Sequence, residues 1–272
     1  MPHLHAVPRW MLIGLAGIAA VYVAMCLALF LLQRSLIYHP QPRTAPAGTP
    51  LLTLPVDGRE VLATMREHEG LRALLYFGGN AEDVSANLPG MAAIFPDHAL
   101  YLLHYPGYGG APGRPSEAAL VADALALFDQ VAARHPRVTV IGRSLGSGVA
   151  IQVASARPVE RLVLVTPYDS LLEIATHRFP GIPIGWILRD KFESGRHAAK
   201  VTAPTLLIAA ANDKVIPRAS TDQLLGRFAG GIATLGTLAG ADHNFADSNP
   251  EYVRLLRGEL SAAREPASAP LR

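Results

Sequence analysis

From Trp10 to Leu32 the chain runs for 23 residues, WMLIGLAGIAAVYVAMCLALFLL, without a charge. As a helix this stretch is about 34 Å long at about 1.5 Å per residue, enough to cross a bilayer. It is apolar all round, unlike a helix that packs one face on a core. It also exceeds the apolar core of a signal peptide, about 7 to 15 residues, and bulky Gln33-Arg34-Ser35-Leu36 follows it instead of a small-x-small site. Trp10 and Tyr38 bracket it as interfacial aromatics do. The pattern predicts a tail over 1–9 and a transmembrane helix over 10–32. A semi-rigid linker is expected over 33–50, where Pro40 to Pro50 holds four prolines and a glycine.

Beyond Leu51 short apolar runs alternate with helical spacing. Leu51–Val56 and Glu60–Arg66 flank Asp57-Gly58, which predicts a hairpin. Further runs lie at Leu71–Phe77, Ala99–His104, Val138–Ile141, Val159–Val165, Thr205–Ala209 and Ile232–Leu238. Apolar without alternation, they read as strands of a parallel sheet covered on both faces. The clearest helix spans Pro115–Arg134, with Leu120, Val121, Leu125 and Phe128 recurring on one face. This order predicts an α/β domain over 51–264, built on a mostly parallel eight-stranded sheet, and a disordered tail over 265–272. A long irregular interval at 168–203 contains FPGIPIGWIL and reads as a lid or pocket wall.

Composition narrows the classes of function. Charge is close to balanced, 24 Lys+Arg against 22 Asp+Glu, with the cations scattered, which argues against a nucleic-acid partner. Cys26 is the sole cysteine, so neither an intrachain disulfide nor a Cys-rich zinc site is available.

The sharpest chemical signal is Gly142-Arg143-Ser144-Leu145-Gly146. This G-x-S-x-G follows the apolar run VTVI and precedes a helix-like GSGVAIQVASA, the strand–turn–helix context of a nucleophile elbow. A serine needs a base and an orienting acid, expected later in the chain. Asp213 after TLLIAAAN and His243 within AGADHNF fill those places; Asp169 and Asp242 are the competing acids. The other nine histidines, His3, His5, His39, His68, His98, His104, His135, His177 and His197, read as structural or connecting residues. An oxyanion needs two main-chain donors. Leu145 supplies one candidate N–H, and Asn80, in Gly78-Gly79-Asn80 after the third strand, supplies the other.

Taken in order, GGNAED, YPGYGGAPGRPSE, GRSLGSG, AANDKVIP and GADHNF, together with QRSLIYHP after the apolar run, resemble the membrane-anchored α/β-hydrolases of the Bem46-like group. These are serine aminopeptidase S33-like hydrolases related to the ABHD17-type protein depalmitoylases. The resemblance implies an α/β-hydrolase fold, serine hydrolase activity without a cofactor, and a triad on Ser144, Asp213 and His243. Two departures stand out. The family's usual His-Gly-Asn is Gly78-Gly79-Asn80 here, and the cysteine-rich N-terminus of the ABHD17 type is missing, so protein depalmitoylation is not implied.

The expected activity is hydrolysis of an ester or thioester of a small or lipid-like acyl substrate at a membrane. An amidase or peptidase of the same fold and a catalytically silent binding protein are the alternatives. Phe179, Ile182, Ile184 and Trp186 are expected to line an acyl-binding wall. A chain starting near Pro46 is expected to be soluble and active. Arg9 opposes Arg34 and Arg43 across the span, and the short leading tail favours an extracytoplasmic domain in a bacterial source.

Overall fold

Eight strands meet in one sheet; helices on the two sides cover both faces of its central strands, while the first and last strands, at its edges, stay partly exposed. The computed structural model describes residues 8–56, 58–244 and 249–258. His3, His5, Asp57, Phe245 and the 265–272 tail lie outside the described residues.

A long helix, α1 (Arg9–Ile37), leads into the domain. The strands are β1 (Leu51–Val56), β2 (Arg59–Arg66), β3 (Arg72–Phe77), β4 (Ala99–His104), β5 (Arg137–Arg143), β6 (Arg161–Val165), β7 (Thr205–Ala210) and β8 (Ala233–Leu238), in spatial order β1-β2-β4-β3-β5-β6-β7-β8. β1 and β2 form the expected antiparallel hairpin, β2 pairs antiparallel with β4, and every later pairing is parallel. Successive β3 residues enter opposite cores. Leu75 and Phe77 join the side that holds α3 (Glu117–Ala132) and α4 (Leu145–Ala156), and Leu74 and Tyr76 join the side of α2 (Leu88–Ile94) and α9 (Pro250–Arg257). That double burial is why the strands read as unbroken apolar runs. Ser116 starts α3 by accepting a hydrogen bond from the Ala119 N–H, an N-cap that satisfies one of the helix's unpaired donors.

The interval after β6 is more ordered than expected. It holds α5 (Leu171–Arg178), α6 (Ile184–Ile187) and α7 (Ser194–Ala198). Ser170 caps α5 by accepting from the Glu173 N–H. α8 (Arg218–Leu225) then joins β7 to β8.

Two boundaries differ from the sequence reading. α1 is a helix of 29 residues that continues through Ile37, five beyond the apolar run, because nothing in Gln33–Ile37 breaks a helix. α1 is also long and apolar enough to cross a membrane by length and composition. The segment after it, expected as a spacer, lies strapped across the domain. Tyr38 is buried and donates its hydroxyl to Asp190, the His39 N–H donates to Asn80 Oδ1, and both the N–H and hydroxyl of Thr44 donate to Asp83. The prolines keep this strap extended, and its polar groups find partners on the domain instead of in water.

Candidate active site

Parallel strands point their C-terminal ends to one edge of the sheet, and the loops leaving β3, β5, β7 and β8 gather there. The turn after β5 carries Ser144 at φ 49°, a left-handed conformation rare for a side-chain-bearing residue. Its N–H is held by the Val165 carbonyl at 2.9 Å. The flanking glycines are steric requirements. A Cβ on Gly142 would stand 2.3 Å from the Gly146 carbonyl oxygen, and one on Gly146 only 2.0 Å from the Phe77 oxygen. α4 thus packs directly on the ends of β3 and β5, and the serine hydroxyl is thrust off the edge.

Ser144 Oγ lies 2.9 Å from His243 Nε2, and His243 Nδ1 lies 2.8 Å from Asp213 Oδ2. The second carboxylate oxygen, Oδ1, accepts from the N–H groups of Val215 and Ile216, each at 2.8 Å. Burial by itself would raise the Asp213 carboxyl. The hydrogen bonds from His243 and the Ile216 and Val215 amides outweigh that and hold it below the ordinary carboxylate range. An ionised carboxylate only accepts, so Nδ1 carries the imidazole proton and Nε2 is left to accept from the serine. Asp213 and His243 are 7% and 10% exposed at their side chains, so water competes weakly with the row.

The competing acids are occupied elsewhere. Asp169 pairs with Arg227 at 3.3 Å, and Asp242 accepts from the Asn244 N–H. His104 is buried against Thr64, at 2.8 Å from its hydroxyl, and burial pushes its pKa down to about 4.

The candidate oxyanion loop follows β3. The Gly79 backbone passes within contact of the elbow, so that a Cβ there would lie 3.5 Å from Ser144 Cβ. No side chain fits at Gly78, where a Cβ would lie 2.4 Å from Val84 Cγ1, so the histidine usual in the resembling family has no room. Other groups brace the loop. The Tyr105 hydroxyl donates to the Gly78 carbonyl at 3.0 Å, and Tyr108 donates to Asn80 Oδ1 at 2.8 Å. The Asn80 amide donates to the Ile37 carbonyl at the end of α1. This accounts for the two tyrosines of YPGYGG, whose rings meet edge to face 5.8 Å apart.

Sequence reasoning missed Glu82. Its side chain is 10% exposed and accepts from the Gly79 N–H at 2.6 Å, Tyr76 Oη at 2.6 Å, Asn87 Nδ2 at 2.5 Å and Arg143 Nη1 at 3.0 Å. Arg143 also donates to the carbonyls of His243 and Asn244. The only sequence signal was an acidic residue next to a glycine pair and an arginine inside the elbow motif.

The four residues expected to line an acyl wall do not share one environment. Ile184 is buried and Ile182 half-buried, whereas Phe179 is 48% and Trp186 93% exposed. Trp186 therefore faces outward instead of lining an enclosed wall, because the single turn of α6 buries Ile184 and Ile187 and so turns Gly185 and Trp186 away. Among the described residues, no group of three His, Cys, Asp or Glu side chains is gathered to hold a metal ion.

The strand order, its antiparallel start and the helices on both faces define the α/β-hydrolase fold, and the chain belongs to the α/β-hydrolase family. It is 32% identical over 233 residues to Rv2307c of Mycobacterium tuberculosis, covering 77% of this chain and 80% of that protein. It is 28% identical to the α/β-hydrolase domain-containing protein aho-3 of Caenorhabditis elegans, over 73% of this chain and 60% of that protein. Mouse α/β-hydrolase domain-containing protein 10 superposes with a TM-score of 0.61 over 77% of this chain and 96% of its own, at 16% identity, a likeness of fold. No protein-family model matches the chain. Fold and relatives together support hydrolytic activity.

Proposed function

We propose that this hydrolase is a membrane-tethered serine esterase or thioesterase of the Bem46-like group, working through an acyl-enzyme. The observation that carries the reading is the hydrogen-bonded row from Ser144 through His243 to Asp213, with the serine on a strained elbow. Three features support the narrower grouping: the ordered motifs, the long apolar α1, and the strap that joins α1 to the loop after β3.

His243 Nε2 takes the Ser144 proton as Oγ attacks the acyl carbonyl, and Asp213 stabilises the resulting imidazolium at Nδ1. Negative charge develops on the former carbonyl oxygen. The N–H groups of Asn80 and Leu145 are the donors we assign to it; the Gly79 N–H is already spent on Glu82. His243 then returns its proton to the departing alkoxide or thiolate, leaving the acyl group on Ser144. A water, activated by the same imidazole, releases the acid. No step calls for a cofactor.

Fluorophosphonate labelling of the full chain in detergent, followed by a panel of ester, thioester and amide substrates, tests this. Labelling lost in Ser144→Ala and turnover of esters or thioesters above amides are expected. A chain that neither labels nor hydrolyses overturns it, and preferential amide cleavage replaces the esterase reading with an amidase.

A further inference from the structure

The lid segment Phe179–Leu188 is ten residues with no charged side chain, and its Trp186 is 93% exposed. Left in water, this surface would be an unusual liability. Its position along α1 suggests another environment. The Tyr22 hydroxyl donates to the Gly181 carbonyl at 2.8 Å. Further along the helix, Gln33 donates to the Ile187 carbonyl at 3.0 Å and accepts from the Arg189 N–H at 2.7 Å. Tyr22 and Gln33 are separated by about 16 Å of helix at about 1.5 Å per residue. The lid thus runs beside α1 for a length comparable to half the hydrocarbon core of a bilayer, about 30 Å.

Non-helical backbone tolerates such a place only where its polar groups are paired. Tyr22 lies within the uncharged run of α1 and Gln33 at its end, and each satisfies a backbone group of the lid. A cation closes the apolar stretch: Arg189 follows it, with its guanidinium 4.1 Å from the Phe30 ring centroid. At the Gln33 end of α1, the Arg189 side chain can extend to lipid phosphates while its stem stays among acyl chains. The C-terminal end of α1 also meets the candidate oxyanion loop directly, through the hydrogen bond from Asn80 to the Ile37 carbonyl.

We infer that the Phe179–Ile187 edge of the lid is seated in the same bilayer as α1, so that the Ser144 site opens onto lipid and receives its acyl chain from the membrane. This rests on the reading of α1 as a membrane span and of Ser144 as the nucleophile. Trp186 is then an interfacial or acyl-contacting anchor, and Phe179 and Ile182 contact lipid beside it.

Trp10 and Trp186 are the two tryptophans of the chain, so each can report alone. The full-length protein would be reconstituted into phosphatidylcholine–phosphatidylglycerol vesicles as Trp10→Phe, leaving Trp186, and as Trp186→Phe, leaving Trp10. Phosphatidylcholine brominated on its acyl chains should quench most Trp186 emission. Quenching of Trp10 without Trp186 overturns the lid seat and leaves the anchor intact. Quenching of neither overturns both. For the acyl route, Tyr22→Phe should lower kcat/KM several-fold toward a long-chain ester carried in the vesicles and leave a short water-soluble ester unchanged. Equal effects on both esters, or none, overturn the route, and retained fluorophosphonate labelling shows that the serine chemistry has survived.

Discussion

Glu82 and Arg143 meet at 3.0 Å, and through this pair three loops share one ion pair: Glu82 holds the Gly79 N–H, and Arg143 holds the carbonyls of His243 and Asn244. The pair touches neither Ser144 Oγ nor the His243 ring, yet it ties the loop after β3 and the His243 loop to the turn that carries Ser144. Hydrogen bonds to a charged group contribute about 1.5 to 3 kcal/mol each, so the network can hold geometry that neutral turns would not.

Glu82→Gln should therefore lower kcat roughly tenfold to a hundredfold while KM stays near its original value, since the substituent keeps its shape and loses its charge. Arg143→Gln should do the same, and the double variant should be no worse than either single one. A rise in KM alone, or additive losses, would count against a positioning role.

Ser144 sits at φ 49°, where a side chain is strained by on the order of 1 to 3 kcal/mol. Both Ser144→Ala and Ser144→Gly should abolish turnover, but Ser144→Gly should unfold at the higher temperature because it alone relieves the backbone. Equal melting temperatures would show that the elbow carries no such strain.

In the proposed mechanism Asp213, His243 and Ser144 serve one proton transfer, so single and combined substitutions should be strongly non-additive in kcat. Asp213→Asn should be severe, whereas Asp242→Asn and Asp169→Asn should leave kcat within severalfold of the original. Steady-state kinetics of the three asparagine variants decides the acid.

His104 is 2% exposed, and burial depresses its pKa from 6.5 to about 4. Because the unfolded chain binds this proton more readily, the contribution of His104 to stability is complete above about 6.5. It drains as pH falls from there toward 4, by on the order of 3 kcal/mol at most. His104→Gln should flatten the pH dependence of unfolding within that window, measured by thermal melts in detergent. An unchanged slope would assign acid sensitivity to other groups.

The strap moves the useful truncation point. A chain starting at Pro46 loses the contacts of Ile37, Tyr38, His39 and Thr44 with Asn80, Asp190 and Asp83. It should melt several degrees lower and lose most of its kcat relative to a chain starting at Gln33; equal activity of the two would show the strap to be dispensable.

Local patterns carried what the sequence alone determined: the long uncharged helix, the strands, the hairpin, the elbow with its two obligatory glycines, and the chain order of Ser144, Asp213 and His243. Each depends on neighbours a few residues away, or on a rule of sheet topology that brings strand ends to one edge. Tertiary structure alone decided which groups meet across loops: Glu82 with Arg143 over 61 positions, Tyr38 with Asp190 over 152, and Tyr22 with Gly181 over 159. A carboxylate, a tyrosine or a tryptophan carries no mark of its partner along the chain. Trp186 read as pocket lining by composition, yet it faces outward, because the packing of Ile184 and Ile187 settles which side of a single helical turn is left free.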